Sequence, residues 1–217
     1  MVDEVAEQVR ELIVSGKFAP GQQLLQYEIA EQLGISRTPL REAFRVLERD
    51  GLVRTSNGNM TLEVVNLTPP EMVWLYEFRE VIDGLAARCA AERGIDAKTS
   101  AKLHSLLDDL ERLRGKPAPR GVVHAEFHST IAQCSGNPHV IAQIPMIRLT
   151  AQMLARRVAE LNLTSKRLSE DMTEEGSADH RRVLEAIEAG DGREAELRAR
   201  AHIRKTRQSP LLKVDPT

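Results

Sequence analysis

Apolar positions fall at helical spacing along almost the whole chain. Val5, Val9, Leu12 and Ile13 mark one face of a helix over about Val2 to Ser15, which Gly16 and the Pro20-Gly21 turn close. A short second helix, about Gln26 to Leu33, buries Ile29, Ala30 and Leu33 and stops at Gly34. Ile35 is an apolar plug, and Ser36 offers an N-cap oxygen to a third helix over about Arg37 to Asp50. There Leu40, Ala43, Phe44 and Leu47 make a core stripe, while Arg37, Arg41, Arg45 and Arg49 recur every four residues as a separate band. Pro39 sits in the first turn, where a missing N–H costs little. After Gly51 the spacing changes. Leu52–Thr55 and Met60–Val65 are short β-prone runs joined by Ser56-Asn57-Gly58-Asn59, whose Asn-Gly pair signals a tight hairpin.

A boundary follows at Asn66-Leu67-Thr68-Pro69-Pro70-Glu71, which also reads as a helix start: Thr68 caps, Pro69 takes the first helical position, and Glu71 completes a capping box. Beyond it the pattern predicts helices near 70–93, 96–114, 119–135, 138–163, 177–189 and 191–208, with a short turn around 166–172. Breaks fall at Gly94, Gly115-Lys116-Pro117, Gly136-Asn137-Pro138 and Gly190-Asp191. The expected fold is mostly α. Residues 1–66 form a three-helix winged helix-turn-helix with a β-hairpin, and residues 67–217 an all-α antiparallel bundle.

Composition narrows this further. Apolar residues are 41% and aromatics only 3%, which favours helices packed through aliphatic side chains over a β-sandwich. No apolar run reaches the roughly 18 residues that would span a bilayer, and the acidic start does not resemble a signal peptide. No membrane partner is expected. Cys89 and Cys134 lie in helical patterns and read as reduced, in a cytoplasmic protein. The formal net charge is −2, and residues 1–66 carry seven Lys/Arg against ten Asp/Glu. Any nucleic-acid footprint must therefore come from a local stripe of arginines.

In a winged helix-turn-helix the start of the third helix enters the major groove. Arg37 and Arg41 stand there, and guanidinium suits bidentate contact with guanine. Arg45 continues their band, Ser36 and Thr38 suit phosphate oxygens, and Asn57 and Gly58 form the wing tip. The plainer alternative is a solvated helix face whose arginines pair with Glu42 and Glu48; the hairpin tips the balance toward double-stranded DNA. The runs Ala19-Pro20-Gly21, Glu28 through Ala43 and Leu47 through Leu52 resemble the GntR family of transcription regulators over about 60 residues. By that resemblance Ser36, Arg37, Thr38 and Arg41 hold the main DNA-contacting positions and Gly58 the wing position. Tyr27 stands where some members carry a basic phosphate-contacting residue, and its hydroxyl can donate to phosphate. Reading a palindromic operator in two half-sites calls for a homodimer.

Histidines carry the remaining chemistry. His124 and His128 are at i, i+4, about 40° apart on one helix, while His180 and His202 lie on two later helices. Spacing alone leaves these as surface histidines or as ligands; His104 and His139 read as surface residues. From Glu71 onward the chain resembles the FCD-type ligand domain, through Tyr76-Glu77-Phe78-Arg79, Phe127-His128, Gly136-Asn137-Pro138, Asp179-His180, Ala186-Ile187 and Ala201-His202. That resemblance implies a metal held by one Asp and three His, with carboxylates bound beside it. The family Asp, four residues before the Phe-His histidine, is His124 here, so the expected site is His124, His128, His180 and His202. Glu126 is the lesser alternative as a ligand. Four neutral imidazoles favour Zn²⁺, or Ni²⁺, over a hard ion and leave its charge to attract a small carboxylate effector. Arg79 and Arg148 sit among apolar neighbours and are expected to hold that carboxylate, or else to pair with nearby Glu80 or Glu77. Two other functions fit a histidine-bound ion: a metal-sensing regulator, and a helical metallohydrolase using Glu126 or Asp179 as base.

Overall fold

A computed structural model of the protein describes residues 2–56, 61–162 and 166–212, with the side chains at 56, 61, 160–175 and 211 outside that description. The chain divides into two compact units, Met1–Asn66 and Leu67–Thr217. In the first, α1 (Val2–Val14) lays Val5, Val9 and Ile13 against α3 (Arg37–Arg49), whose Leu40, Ala43, Phe44 and Leu47 are all buried. Both stripes follow the 3.6-residue period, so one face of each helix goes inward. Between them α2 (Gln26–Leu33) ends at Gly34, whose φ of 66° is a left-handed conformation that a side chain resists. The Gly34 and Ile35 N–H groups return to the carbonyls of Glu31 and Ala30, which closes α2 and turns the chain into α3.

Ser36 takes the extended backbone of an N-cap, but its hydroxyl makes no cap hydrogen bond. It stays on the exposed surface instead, so the expected capping role is not taken up by this side chain. The hairpin strands are β2 (Val53–Ser56) and β3 (Thr61–Val64). A third strand that the sequence reading missed, β1 (Gln23–Leu24), pairs antiparallel with β3 to give the order β1-β3-β2. Two residues cannot display an alternation, which is why β1 was invisible as a pattern. Register sets Val53 opposite Val64, both buried, and Arg54 opposite Glu63, where the two side chains meet at 2.8 Å.

The second unit is helical throughout its described residues. α4 (Pro69–Arg93) opens on the expected capping box, with Glu71 Oε2 accepting from the Thr68 N–H at 2.7 Å. Small residues line its inner face. Ala86, Ala87, Ala90 and Ala91 let it approach α10 (Gly192–Gln208), which replies with Ala195 and Ala199. α5 (Ala97–Arg112) and α6 (Pro117–Cys134) contribute Leu103, Leu107, Leu110, Phe127 and Ile131 to the same core.

Two helices differ from the spacing-based expectation. The span 138–163 is broken into α7 (Pro138–Ile141) and α8 (Ile144–Asn162), because Pro145 lacks the N–H that would bond the Ile141 carbonyl. The helix expected from 177 begins at Lys166 and runs as α9 to Glu188. Gly176 reads as a break, yet a mid-helix glycine costs only about 1 kcal/mol when neighbours hold the helix. Among the described residues no helix is long and apolar enough to cross a membrane.

Candidate functional site: recognition helix and histidine centre

At the start of α3 the side chains of Ser36, Arg37, Thr38 and Arg41 are exposed, while Pro39 and Leu40 behind them are buried. The apolar stripe pins the helix by one side and presents the other. Arg45 is exposed too, but Glu42 holds it at 3.0 Å from each carboxylate oxygen, and Arg41 lies 3.9 Å from the same group. The ion-pair alternative is thus realised at Arg45, whereas Arg37 has no hydrogen bond or ion pair from its guanidinium to any described residue. Tyr27 is 60% exposed and its hydroxyl donates to Glu28 Oε1 at 2.7 Å. That hydrogen bond and the Glu28 charge raise its pKa and engage the group expected to reach phosphate. Asn57 and Gly58, the expected wing tip, lie outside the described residues.

The four histidines converge. His124 and His128 project from α6, His180 from α9 and His202 from α10, and one ligand atom of each lies within 4.8 Å of all the others. His128, His180 and His202 are buried and His124 is partly so. The ring centroids of His180 and His202 are 4.1 Å apart, and Nε2 of His128 faces Nε2 of His180 at 3.1 Å. Burial, followed by the mutual repulsion of the rings, pushes the pKa values of His124 and His180 well below the ordinary imidazole value. Burial and the neighbouring His128 push His202 down to about 3. His128 is lowered by burial too, against the opposing pull of Asp83. The cluster is neutral at physiological pH.

Asp83 orders this cluster from α4. Its Oδ1 accepts from Nδ1 of His128 at 2.8 Å, which leaves the His128 Nε2 lone pair facing the centre. Arg79 is fully buried and grips Asp83 through Nη2 at 2.9 Å and Nε at 3.1 Å, with Thr150 Oγ1 at 3.1 Å. Burial opposes the Asp83 charge, but the Arg79 guanidinium and the His128 hydrogen bond outweigh it and hold its carboxyl well below the usual range. Arg148 donates to Glu126 at 2.9 Å, and Glu126 also receives Lys102 at 2.5 Å. Both arginines expected to await an effector are therefore already matched by protein carboxylates. Glu126 is likewise occupied away from the histidines.

The donor set fits a transition metal. Four Zn–N bonds of about 2.1 Å require each nitrogen to move inward by less than about 1 Å from its place in this cluster. Buried Nδ1 of His180 and Nε2 of His202 have no hydrogen-bond partner, a state that costs about 1–3 kcal/mol per group unless something binds them. Beside His124, α6 and α8 enclose a cavity of about 60 Å³, walled by Arg120, Gly121, Leu154, Ala155 and Val158. Burial pushes the Arg120 pKa down to about 10. Arg120 and Asp83 escaped the sequence reading, although each stands four residues from a residue singled out there, His124 and Arg79. That spacing was the available signal.

An exposed recognition helix on a three-helix, three-stranded frame, followed by a separate helical unit, defines a winged-helix DNA-binding protein. Residues 1–62 match the family model for bacterial regulatory proteins of the gntR family, and residues 74–205 match the FCD domain. The chain belongs to the GntR family, in the group that carries an FCD domain. It is similar to the HTH-type transcriptional regulator YdhC of Bacillus subtilis, 24% identical over 205 residues, covering 90% of this chain and 84% of the relative. A probable D-xylose utilization operon transcriptional repressor of Paenarthrobacter nicotinovorans is 26% identical, over 92% of this chain and 85% of its own length. Among solved structures, E. coli McbR/YncC shares the fold with a TM-score of 0.73 at 19% identity, over 94% of each chain. A GntR-type regulator from Rhodococcus does so at 0.67 and 21%, over 95% of each. The protein is a DNA-binding transcription regulator, and membership of this family of regulators removes the metallohydrolase alternative.

Proposed function

We propose that the protein is a homodimeric regulator whose DNA affinity is set by a small organic acid bound beside a metal ion, Zn²⁺ or Ni²⁺. His124, His128, His180 and His202 would hold the ion. The convergence of four neutral imidazoles, two with orphaned buried nitrogens, carries this reading. When bound, the metal supplies a double positive charge that no ligating carboxylate offsets, and it attracts an anionic ligand. The protein does the rest: Asp83 fixes the His128 tautomer, and the α6–α8 cavity leads to His124, the least enclosed of the four.

Ser36, Arg37, Thr38 and Arg41 are assigned to DNA, with Arg45, Tyr27, Asn57 and Gly58 at the margins of the contact. A homodimer is supported by an apolar stripe on α4. Trp74, Phe78 and Val81 follow at i, i+4 and i+7 and are 67%, 45% and 48% exposed, a patch that a lone soluble domain rarely leaves uncovered. Effector binding would act by population shift between arrangements of the paired heads.

Elemental analysis of the purified protein, then fluorescence anisotropy on an operator fragment with and without candidate acids, tests the reading. Stoichiometric Zn or Ni with acid-dependent DNA affinity is the expected result. The four-ligand set also favours a metal-sensing regulator. In that case DNA affinity follows metal loading and no organic acid changes it further. Protein that binds no transition metal even when supplied with one overturns both.

A further inference from the structure

We propose that the cavity between α6 and α8 takes a four- to five-carbon dicarboxylate lengthwise, one carboxylate beside His124 and the other on Arg120. The inference rests on the metal and organic-acid reading above and names the class of acid.

Geometry sets the length. Arg120 and His124 are one turn apart on α6 and line the same cavity, so their side chains start about 6 Å from one another. Two carboxylates joined by two or three methylenes present their oxygens at about that separation. Volume agrees. A cavity of about 60 Å³ takes about four waters, and eight or nine ligand atoms would replace them.

Chemistry sets the ends and the middle. The Arg120 side chain is anchored from the protein side, its Nε donating to the Leu110 carbonyl at 3.3 Å and its Nη2 to Ser177 Oγ at 3.2 Å. A guanidinium held this way is pre-oriented for a carboxylate, and Lys116 adds a second cation on the same cavity. Between the two ends the wall is Leu154, Ala155 and Val158, which suits methylenes and would strand a hydroxyl without a partner. A monocarboxylate can satisfy only the His124 end. Arg79 and Arg148 offer no competing anchor, since Asp83 and Glu126 already match them.

The test uses full-length protein loaded with Zn²⁺, with succinate and butyrate as probes of equal carbon number, titrated calorimetrically. Wild-type protein should bind succinate roughly tenfold or more tightly than butyrate, the worth of one charge-assisted carboxylate contact. Arg120→Gln should erase that preference while leaving butyrate binding unchanged, and Arg120→Lys should restore part of it. Circular dichroism and melting of each variant confirm that the fold is intact. Equal affinities for the two acids in wild-type protein, no binding of either to protein shown to hold Zn, or an unchanged preference in a folded Arg120→Gln variant would each overturn the inference. Failure to load Zn at all instead sinks the metal reading beneath it, so the two failures are told apart.

Discussion

Asp83 on α4 and His128 on α6 meet at 2.8 Å, Oδ1 to Nδ1, and the same carboxylate is gripped by the fully buried Arg79. One acid thus serves two masters: it neutralises a charge in the core and it aims an imidazole. These roles separate by mutation. Asp83→Leu should destabilise the protein by about 3–5 kcal/mol, because it leaves a buried guanidinium unmatched. Arg79→Met with Asp83→Leu should recover most of that stability in urea unfolding. Zn²⁺ affinity measured by chelator competition should still be about 10- to 100-fold weaker, since nothing then fixes the His128 ring. A stable double variant that holds Zn²⁺ as tightly as the wild type would refute the aiming role.

Arg37→Ala combined with Arg41→Ala tests the other end of the molecule. Both side chains are exposed, so stability should change by no more than about 0.5 kcal/mol. Each guanine-reading arginine contributes about 1–3 kcal/mol, so operator affinity should fall by about 100-fold or more. Competition with unrelated DNA reads the mechanism. If specific and non-specific binding weaken equally, these arginines touch phosphate and do not read bases. Intact operator binding would remove α3 from the interface.

Much of the winged unit was legible because local chemistry and tertiary packing agree there. The Leu40–Leu47 stripe, the Gly34 stop and the Asn-Gly hairpin each announce one element without reference to the others. The resemblance to the FCD domain singled out all four histidines, but their meeting depends on how α6, α9 and α10 pack, which no spacing encodes. Arg79 was legible as a buried arginine in need of an anion; that the anion is Asp83, one turn along the same helix, was not weighed. Arg120 was passed over because it lies where the chain emerges from Gly115 and Pro117 and reads as loop-edge charge. Only the neighbouring α8 turns that position into a cavity wall.

Gly121 lies one position after Arg120 and keeps α6 close to α8. A Cβ placed there would stand 2.5 Å from Cβ of Ala155, an atom with no flexible stem to swing aside. Gly121→Ala should therefore force the two helices apart and destabilise the protein by about 1–3 kcal/mol, despite the better helix propensity of alanine. Adding Ala155→Gly should return part of the loss by vacating the contested space. Thermal melts of the two single variants and the pair check this, and additive losses in the pair would show that the contact is not what couples them.

Stability of the metal-free protein should depend on pH in a direction fixed by the buried imidazoles. His202 titrates near 3 in the folded protein, and His124, His128 and His180 are displaced the same way, whereas an unfolded histidine titrates near 6.5. Between those values the unfolded chain binds protons that the folded chain refuses. Stability is therefore fully present above about pH 6.5 and is lost progressively as pH falls toward 3. Each such histidine contributes a slope of about 1 kcal/mol per pH unit within that window. Chelator-treated protein should show a midpoint in urea that falls steadily from pH 7 to pH 5. His202→Gln removes one of the groups that must be charged on unfolding, so its midpoint should fall less steeply over the same range. A wild-type midpoint that is flat or rises on acidification would mean that these rings are solvated and protonated in the folded protein, and the cluster would not then be a site of neutral donors.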